Sequence, residues 1–197
     1  MLNKLKQICN HPALYLKEEE PQNVVERSMK TKTLMELIEN IKDQNESCLI
    51  FTQYIGMGNM LKRVLEEQFG QRVLFLNGSV PKKDRDKMIE EFQNGTYDIF
   101  ILSLKAGGTG LNLTAANHVI HYDRCGNPAV ENQAADRGYR IGQKRFVHVH
   151  KLITTGTLEE KIDEMLERKQ ALNNAVITTD SWMTELSTDE LKELLGV

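Results

Sequence analysis

Residues 98–112 read DIFILSLKAGGTGLN and join a continuous apolar run to a glycine-rich loop. An apolar run such as residues 98–103 is typical of a strand that is buried on both faces of a parallel sheet. Three glycines within four residues, Gly107, Gly108 and Gly110, let the loop backbone approach a ligand closely and turn its N–H groups toward an anion. The stretch therefore predicts a parallel sheet whose ligands bind beyond the carboxyl ends of the strands.

Similar apolar runs alternate with helical segments along the chain. The other strand candidates are residues 48–52, 72–76, 118–121 and 147–153, and the helical segments between them are 57–69, 82–92 and 129–140. A helix over residues 1–9 ends at Asn10-His11-Pro12, and a loop-like stretch follows. A second helix begins at the N-cap candidate Ser28, and a long one follows Thr157. The alternation predicts a three-layer α/β domain with a mainly parallel sheet.

The composition excludes several classes of protein. The chain has 197 residues, of which 40% are hydrophobic and 27% charged, and this is typical of a globular protein and not of a disordered one. No apolar run approaches the roughly 20 residues of a membrane span, and the polar N-terminus predicts no secretory signal. Cys9, Cys48 and Cys125 are too widely separated to suggest a disulfide framework or a zinc site. We therefore expect no membrane partner, and a cytoplasmic protein, nucleoid-associated in a bacterium or nuclear in a eukaryote.

The charge is unevenly distributed. The net charge is −3, but the residues after Lys151 contain ten acidic and four basic residues, and those up to Lys151 contain 18 acidic and 21 basic ones. A mild positive excess on the larger part is compatible with nucleic-acid binding. The acidic tail is not expected to bind DNA directly.

An arginine-bearing segment at residues 127–143 is the second candidate ligand site. Asn127 is a natural N-cap, and Gln133, Arg137 and Arg140 then fall on one face of the helix. Two guanidinium groups and an amide on one face suit an anion, because arginine keeps its charge and binds oxygens bidentately. The alternative is a solvated helix with an ion pair between Asp136 and Arg140.

Two further loops follow predicted strands. Ser79 could offer its hydroxyl to a phosphate or could only cap the next helix, and Gln53 after the first strand is equally ambiguous in isolation. The loop at residues 103–112 is neither a Walker A loop, because no Gly-Lys pair occurs in the chain, nor a complete dinucleotide fingerprint. A plain glycine-rich turn therefore remains an alternative there.

Taken in order, these segments resemble the C-terminal, RecA-like lobe of Swi/Snf-type ATP-dependent DNA translocases of helicase superfamily two, in particular the bacterial members. The resemblance covers nearly the whole chain, and its most specific part is QAADRGYRIGQ at residues 133–143, which resembles motif VI. The other matching segments are LKQICNHP at 5–12, LIFTQY at 49–54 (motif IV), LNGS at 76–79 with Arg85, FQNG at 92–95, and residues 103–113 (motif V).

The resemblance implies roles for individual residues. Arg137 and Arg140 would reach the γ-phosphate of ATP, where positive charge is worth roughly a thousandfold or more in rate. Residues expected near the nucleotide are Gln133, Gly108, Gly110 and Asn112; those expected at the DNA backbone are Gln53, Ser79, Arg85, Ser103 and Lys105. The implied ligands and partners are ATP with Mg²⁺, held mainly by a first lobe absent from this sequence, that N-terminal RecA-like lobe of the same polypeptide, double-stranded DNA and a DNA-bound protein substrate.

The missing motifs limit what this chain can do by itself. The Walker A loop and the Asp-Glu box that holds Mg²⁺ belong to the first lobe, and Asp163-Glu164 has the letters of such a box but falls within a helix, where we expect a solvated face. The resemblance therefore implies a DNA-dependent ATPase and translocase in the complete protein and an inactive lobe in isolation. The alternatives are a stand-alone nucleic-acid-binding or protein-docking module and, with poor support, a dinucleotide-dependent enzyme.

One departure from the family pattern lies between Asp123 and Asn127. The family usually carries a tryptophan there, and this sequence has Arg124-Cys125-Gly126. A missing aromatic side chain could weaken DNA contact or docking of the lobes. We expect three regions: an N-terminal helix and linker (residues 1–27), the RecA-like lobe (28–153), and a C-terminal helical extension (154–197) that packs as a brace in the family.

Overall fold

The computed structural model describes residues 2–104, 113–124 and 147–172. The predicted helix at residues 129–140 lies outside these ranges. Six helices are described: α1 (Leu2–Asn10), α2 (Pro12–Leu16), α3 (Met29–Asp43), α4 (Ile55–Phe69), α5 (Lys82–Gln93) and α6 (Leu158–Leu172). Five strands are described: β1 (Cys48–Thr52), β2 (Leu74–Leu76), β3 (Ile99–Ser103), β4 (His118–His121) and β5 (His148–Lys151).

The strands form one sheet in the order β2-β3-β1-β4-β5, and every pair is parallel. The central strand β1 pairs with β3 from Cys48 opposite Ile99, and with β4 from Cys48 opposite His118. All residues of β1, β3 and β4 are buried, as expected for strands covered on both faces. The predicted parallel α/β architecture is confirmed.

Side chains that alternate along the strands build two cores, one on each face. On one face Ile50 and Ile101 pack with buried residues of α3 and α4, such as Leu34 and Leu61. On the other face the sheet packs against Phe92 of α5 and against side chains from the connections to β4 and β5. Burying each large apolar side chain contributes on the order of 1.5–3 kcal/mol, so the two cores together hold the sheet between its helix layers.

The main difference from the sequence prediction is α2. Pro12 ends α1, but it also occupies the first turn of a second helix, a position where its missing N–H costs nothing. His11 is the N-cap: its Nδ1 accepts a hydrogen bond from the N–H of Ala13 at 3.0 Å, and its Nε2 lies 2.9 Å from the carbonyl of Val24. The stretch predicted to be loop-like therefore begins with a short helix.

Other boundaries agree more closely. Ser28 caps α3 as predicted, because its Oγ accepts the N–H of Thr31 at 3.3 Å. The strands predicted at residues 72–76 and 147–153 are each shorter in the structure, at Leu74–Leu76 and His148–Lys151. Among the strands that the structure describes, these two are the outermost in the sheet. Within the described ranges no helix is long and apolar enough to cross a membrane.

We predict that Gly58→Ala destabilises the fold by about 1–3 kcal/mol, although alanine favours helices. Gly58 lies in α4, and a Cβ there would clash with the ring of the buried Phe75. Urea unfolding measures the effect. Gly78→Ala is the matched control, because nothing lies within 4 Å of its added Cβ. An unchanged or increased unfolding free energy for Gly58→Ala would show that α4 is not packed closely on β2.

Candidate functional site at the carboxyl edge of the sheet

Three of the predicted DNA-contacting residues follow three neighbouring strands. Gln53 comes directly after β1, Ser103 is the last residue of β3, and Ser79 follows β2 by three positions. Parallel strands end at the same edge, so the structure brings these residues to one edge of the sheet. Gln53 and Ser79 are exposed, whereas Ser103 is buried. Arg85 lies in the first turns of α5 and is half-buried.

The remaining predicted site residues lie outside the described ranges. They are Lys105, Gly108, Gly110, Asn112, Gln133, Arg137 and Arg140. Their roles stay predictions from the sequence.

The centre of the described edge is the carboxylate of Asp123, which follows β4. Its Oδ2 accepts hydrogen bonds from Thr52 Oγ1 at 2.7 Å and from Asn10 Nδ2 at 3.0 Å. The backbone N–H of Gln53 donates to both carboxylate oxygens, at 2.9 and 3.1 Å. These four residues, Asp123, Asn10, Thr52 and Gln53, are the Asp123 cluster, and they join α1, β1 and the end of β4.

Burial and hydrogen bonding act on this carboxylate in opposite directions. Asp123 is 3% exposed, and its burial raises the pKa of the carboxyl group. The hydrogen bonds from Thr52 and from Gln53 oppose that rise, followed by the charges of Lys30 and Lys6. A buried carboxylate needs such donors, so removing any one of them leaves part of its desolvation cost uncompensated.

Helix α1 also holds the turn after β1 by side chains. The ammonium group of Lys6 is buried and donates to Gln53 Oε1 at 3.0 Å. The hydroxyl of Tyr54 donates to Asn3 Oδ1 at 2.7 Å. The turn that resembles motif IV is therefore held by the lead-in helix as well as by Asp123.

A second group of buried polar side chains joins α3, α6 and the end of β4. Lys30 and Glu159 form an ion pair with N–O distances of 2.5 and 2.6 Å, and both side chains are almost fully buried. The Lys30 ammonium also lies 5.5 Å from the centroid of the Tyr122 ring. The Tyr122 hydroxyl donates to the carbonyl of Asn10 at 3.1 Å and lies 2.9 Å from Thr31 Oγ1. Helix α6 is thereby held against the same edge as α1.

The expectation that Asp163-Glu164 forms a solvated helix face is wrong for Asp163. Asp163 Oδ1 lies 2.6 Å from an Nη atom of Arg124, and the exposed fractions of the two side chains are 18% and 2%. Glu164 is exposed, as expected. The sequence alone does not show the pairing, because the partners are 39 positions apart. Arg124, the first residue of the departure from the family pattern, thus contacts the C-terminal helix.

Ser79 does not cap α5, which corrects the simpler of its two interpretations. The N-cap position is Pro81, and no side chain caps this helix. Both the hydroxyl and the N–H of Ser79 donate to Asn77 Oδ1, at 2.5 and 2.9 Å. This arrangement is an Asx turn, and the exposed hydroxyl oxygen keeps its capacity to accept.

Three histidines lie close together on β4 and β5: His118 and His148 are the first residues of these strands, and His150 lies within β5. His118 Nδ1 lies 2.9 Å from His150 Nε2, and His118 Nε2 lies 2.5 Å from a carboxylate oxygen of Glu46. The ring of His148 stacks on that of His118 at 5.0 Å. Among the residues that the structure describes, no group of three or more His, Cys, Asp or Glu side chains could hold a metal ion.

The family model for the helicase conserved C-terminal domain matches residues 29–142. The chain belongs to this family. It is 47% identical to the solved C-terminal domain of the Sulfolobus solfataricus SWI2/SNF2 ATPase, with a TM-score of 0.77, and the match covers 98% of this chain and 78% of that one. The chain is therefore a RecA-like C-terminal lobe of the Swi2/Snf2 type, as the sequence predicts.

Two other comparisons concern longer proteins. YwqA of Bacillus subtilis (strain 168), whose name describes an ATP-dependent helicase/translocase, is 68% identical over 194 residues, which are 98% of this chain and 21% of YwqA. The Sulfolobus solfataricus SWI2/SNF2 ATPase core solved in complex with dsDNA is 47% identical, with a TM-score of 0.79, over 98% of this chain and 40% of that one. The helicase lobe thus spans about a fifth of the length of the curated relatives that it matches first.

We predict that His121 makes the lobe less stable at acidic pH. His121, at the end of β4, is 1% exposed and stacks on Phe51, and burial, followed by the charges of Arg124 and Lys151, lowers its pKa to about 4. In the unfolded chain the imidazole takes up a proton near pH 6.5, whereas in the folded chain it does so only near pH 4. The unfolding free energy therefore falls as the pH drops from about 6.5 to about 4, and His121 contributes up to about 3 kcal/mol to this loss.

The measurement is urea unfolding over this pH range for the wild type and for His121→Phe, which keeps a stacking ring without a titrating group. The variant is expected to lose less stability between pH 6.5 and 4 than the wild type. Equal losses would show that His121 is protonated equally readily in the folded and the unfolded chain.

Proposed function

We propose that this chain is the second motor lobe of an ATP-dependent double-stranded DNA translocase. In this proposal it supplies Arg137 and Arg140 to ATP held on the first lobe, and it contacts the DNA backbone through the carboxyl edge of its sheet. The observation that carries the proposal is the position of Gln53, Ser103 and Ser79 at the ends of three neighbouring strands, in a lobe that resembles an ATPase core solved with dsDNA.

The chemistry of the edge suits backbone contact. Gln53 presents an amide whose NH₂ group donates to phosphate oxygens without reading bases. The exposed Ser79 hydroxyl can do the same once its proton turns from Asn77 Oδ1 to the phosphate. A translocase needs contacts of this kind, because it must step along any sequence. Lys105 and Arg85 add the positive charge that phosphate binding requires.

The ATPase reaction needs residues from both lobes. ATP and Mg²⁺ bind mainly to the first lobe, because this chain has no Gly-Lys phosphate loop. In this proposal Arg137 and Arg140 stabilise the charge that develops on the transferred phosphoryl group, and Gln133 and the motif V residues Gly108, Gly110 and Asn112 contribute to binding the nucleotide.

The three predicted regions have separate roles in this proposal. Residues 28–153 form the motor lobe, residues 1–27 lead into it from the first lobe, and residues 154–197 brace it. The contacts that support the docking of both flanking regions on the lobe are those of α1 with Asp123 and the Lys30–Glu159 ion pair of α6. A protein bound to the DNA is the further partner that the translocase would displace or move.

We predict that Arg140→Ala abolishes DNA-stimulated ATP hydrolysis in the complete protein, with the first lobe joined to this chain. The loss should be roughly a thousandfold in kcat, the effect of removing an arginine from a phosphoryl-transfer site. The measurement is steady-state ATPase activity with and without double-stranded DNA. Arg72→Ala is the matched control, because Arg72 is an exposed arginine at the other end of the strands. The isolated chain is expected to hydrolyse no ATP.

Two results would contradict the proposal. An Arg140→Ala protein as active as the wild type would show that the arginine segment is structural. A complete wild-type protein that hydrolyses no ATP in the presence of DNA would favour a binding or docking module.

A further inference from the structure

We infer that Lys6 is a positioning residue that sets which end of the Gln53 amide faces the DNA. The inference rests on the proposed function, because it takes Gln53 as a DNA contact. Lys6 lies on α1, in front of the lobe in sequence, and Gln53 lies 47 positions later at the carboxyl end of β1. The two side chains meet at 3.0 Å, between Lys6 Nζ and Gln53 Oε1.

The direction of this hydrogen bond follows from chemistry alone. A glutamine amide has an accepting oxygen at one corner and a donating NH₂ group at the other, and it can rotate to exchange them. An ammonium group has three donors and no acceptor, so it accepts only the orientation in which the amide oxygen faces it. The NH₂ group of Gln53 must then point away from Lys6.

The surroundings fix the rest of the side chain. Asp123 holds the backbone N–H of Gln53 with both carboxylate oxygens, so the residue cannot swing away as a unit. Lys6 is 3% exposed, whereas Gln53 is exposed. The buried ammonium is therefore shielded from the solvent side of the edge, where a DNA strand would lie, and the amide is accessible there.

An NH₂ group of Gln53 that faces outward suits a phosphate, and Lys6 excludes the orientation in which the amide oxygen faces outward. Phosphate oxygens accept hydrogen bonds, so an outward NH₂ group binds them and an outward carbonyl oxygen repels them. Without Lys6 the amide is free to rotate, and part of the population presents oxygen to the DNA. Lys6 thus acts on DNA through Gln53, and not by its own contact with phosphate.

The test uses the complete protein with both lobes, and it measures the Kd for a fluorescent DNA duplex over a series of salt concentrations, together with the KM for ATP. Lys6→Met and Gln53→Ala are each expected to raise the Kd about three- to tenfold, the size of one net hydrogen bond. The double variant is expected to be no weaker than Gln53→Ala, because the two residues act as one unit. The KM for ATP stays unchanged.

The controls separate positioning from simpler roles. Lys4→Met removes the same charge from an exposed position of α1 and is expected to leave the Kd unchanged. Lys6→Arg keeps a donor-only group and is expected to retain most of the binding. The slope of the logarithm of the DNA-binding constant against the logarithm of the salt concentration should be the same in Lys6→Met and wild type. If Lys6 itself contacted a phosphate, its loss would lower the magnitude of this slope by about one.

Gln53→Glu tests whether a donor must face the DNA at this position, even if Lys6→Met does not fold. The new carboxylate pairs with Lys6 and places a second oxygen toward the DNA, so the Kd should rise more than in Gln53→Ala. Wild-type affinity in Gln53→Glu would overturn the inference, and so would a reduced salt slope in Lys6→Met. A double variant whose increase in Kd equals the product of the two single increases would also overturn it. The proposed function fails separately, if the wild type shows no DNA-stimulated ATPase activity.

Discussion

The carboxylate of Asp123 is the contact on which the carboxyl edge depends. A single buried group accepts from the lead-in helix through Asn10, from β1 through Thr52, and from the turn after β1 through the N–H of Gln53. A carboxylate without those donors would be costly at this depth, so the three segments that supply them are fixed together. The contacts to Asp123 thereby define the position of the candidate DNA-contacting turn.

Two buried ion pairs fix the position of the C-terminal helix α6. Lys30 pairs with Glu159 and Arg124 pairs with Asp163, and both pairs attach α6 to the edge that the Asp123 cluster organises. Buried pairs of this kind are strongly destabilising when one partner is lost, typically by 3–5 kcal/mol, but add little to stability as pairs. They therefore specify where α6 docks more than they stabilise the fold, and they place its first turns beside Tyr122 and the end of β4.

The sequence predicts this lobe well where local pattern decides the structure, and poorly where distant partners do. The runs at residues 48–52 and 118–121 become β1 and β4 with the predicted bounds, because apolar strands of a buried parallel sheet need no partner to be recognised. Lys6, Asn10 and Glu159 show no local signal, since their partners are 47, 113 and 129 positions away. The pairing of Asp163 is not predictable from the sequence for the same reason. Helix α2 is not predictable because Pro12 both ends one helix and starts the next.

Amide hydrogen exchange at Gln53 tests this account most directly. The account predicts that the backbone N–H of Gln53 exchanges about as slowly as those of β1, although its side chain is exposed, and that Asp123→Asn accelerates it while the N–H of Arg85, bonded to the carbonyl of Pro81, is unaffected. Exchange at the rate of an open surface turn in the wild type, or no change in Asp123→Asn, would contradict the claim that this buried carboxylate organises the edge.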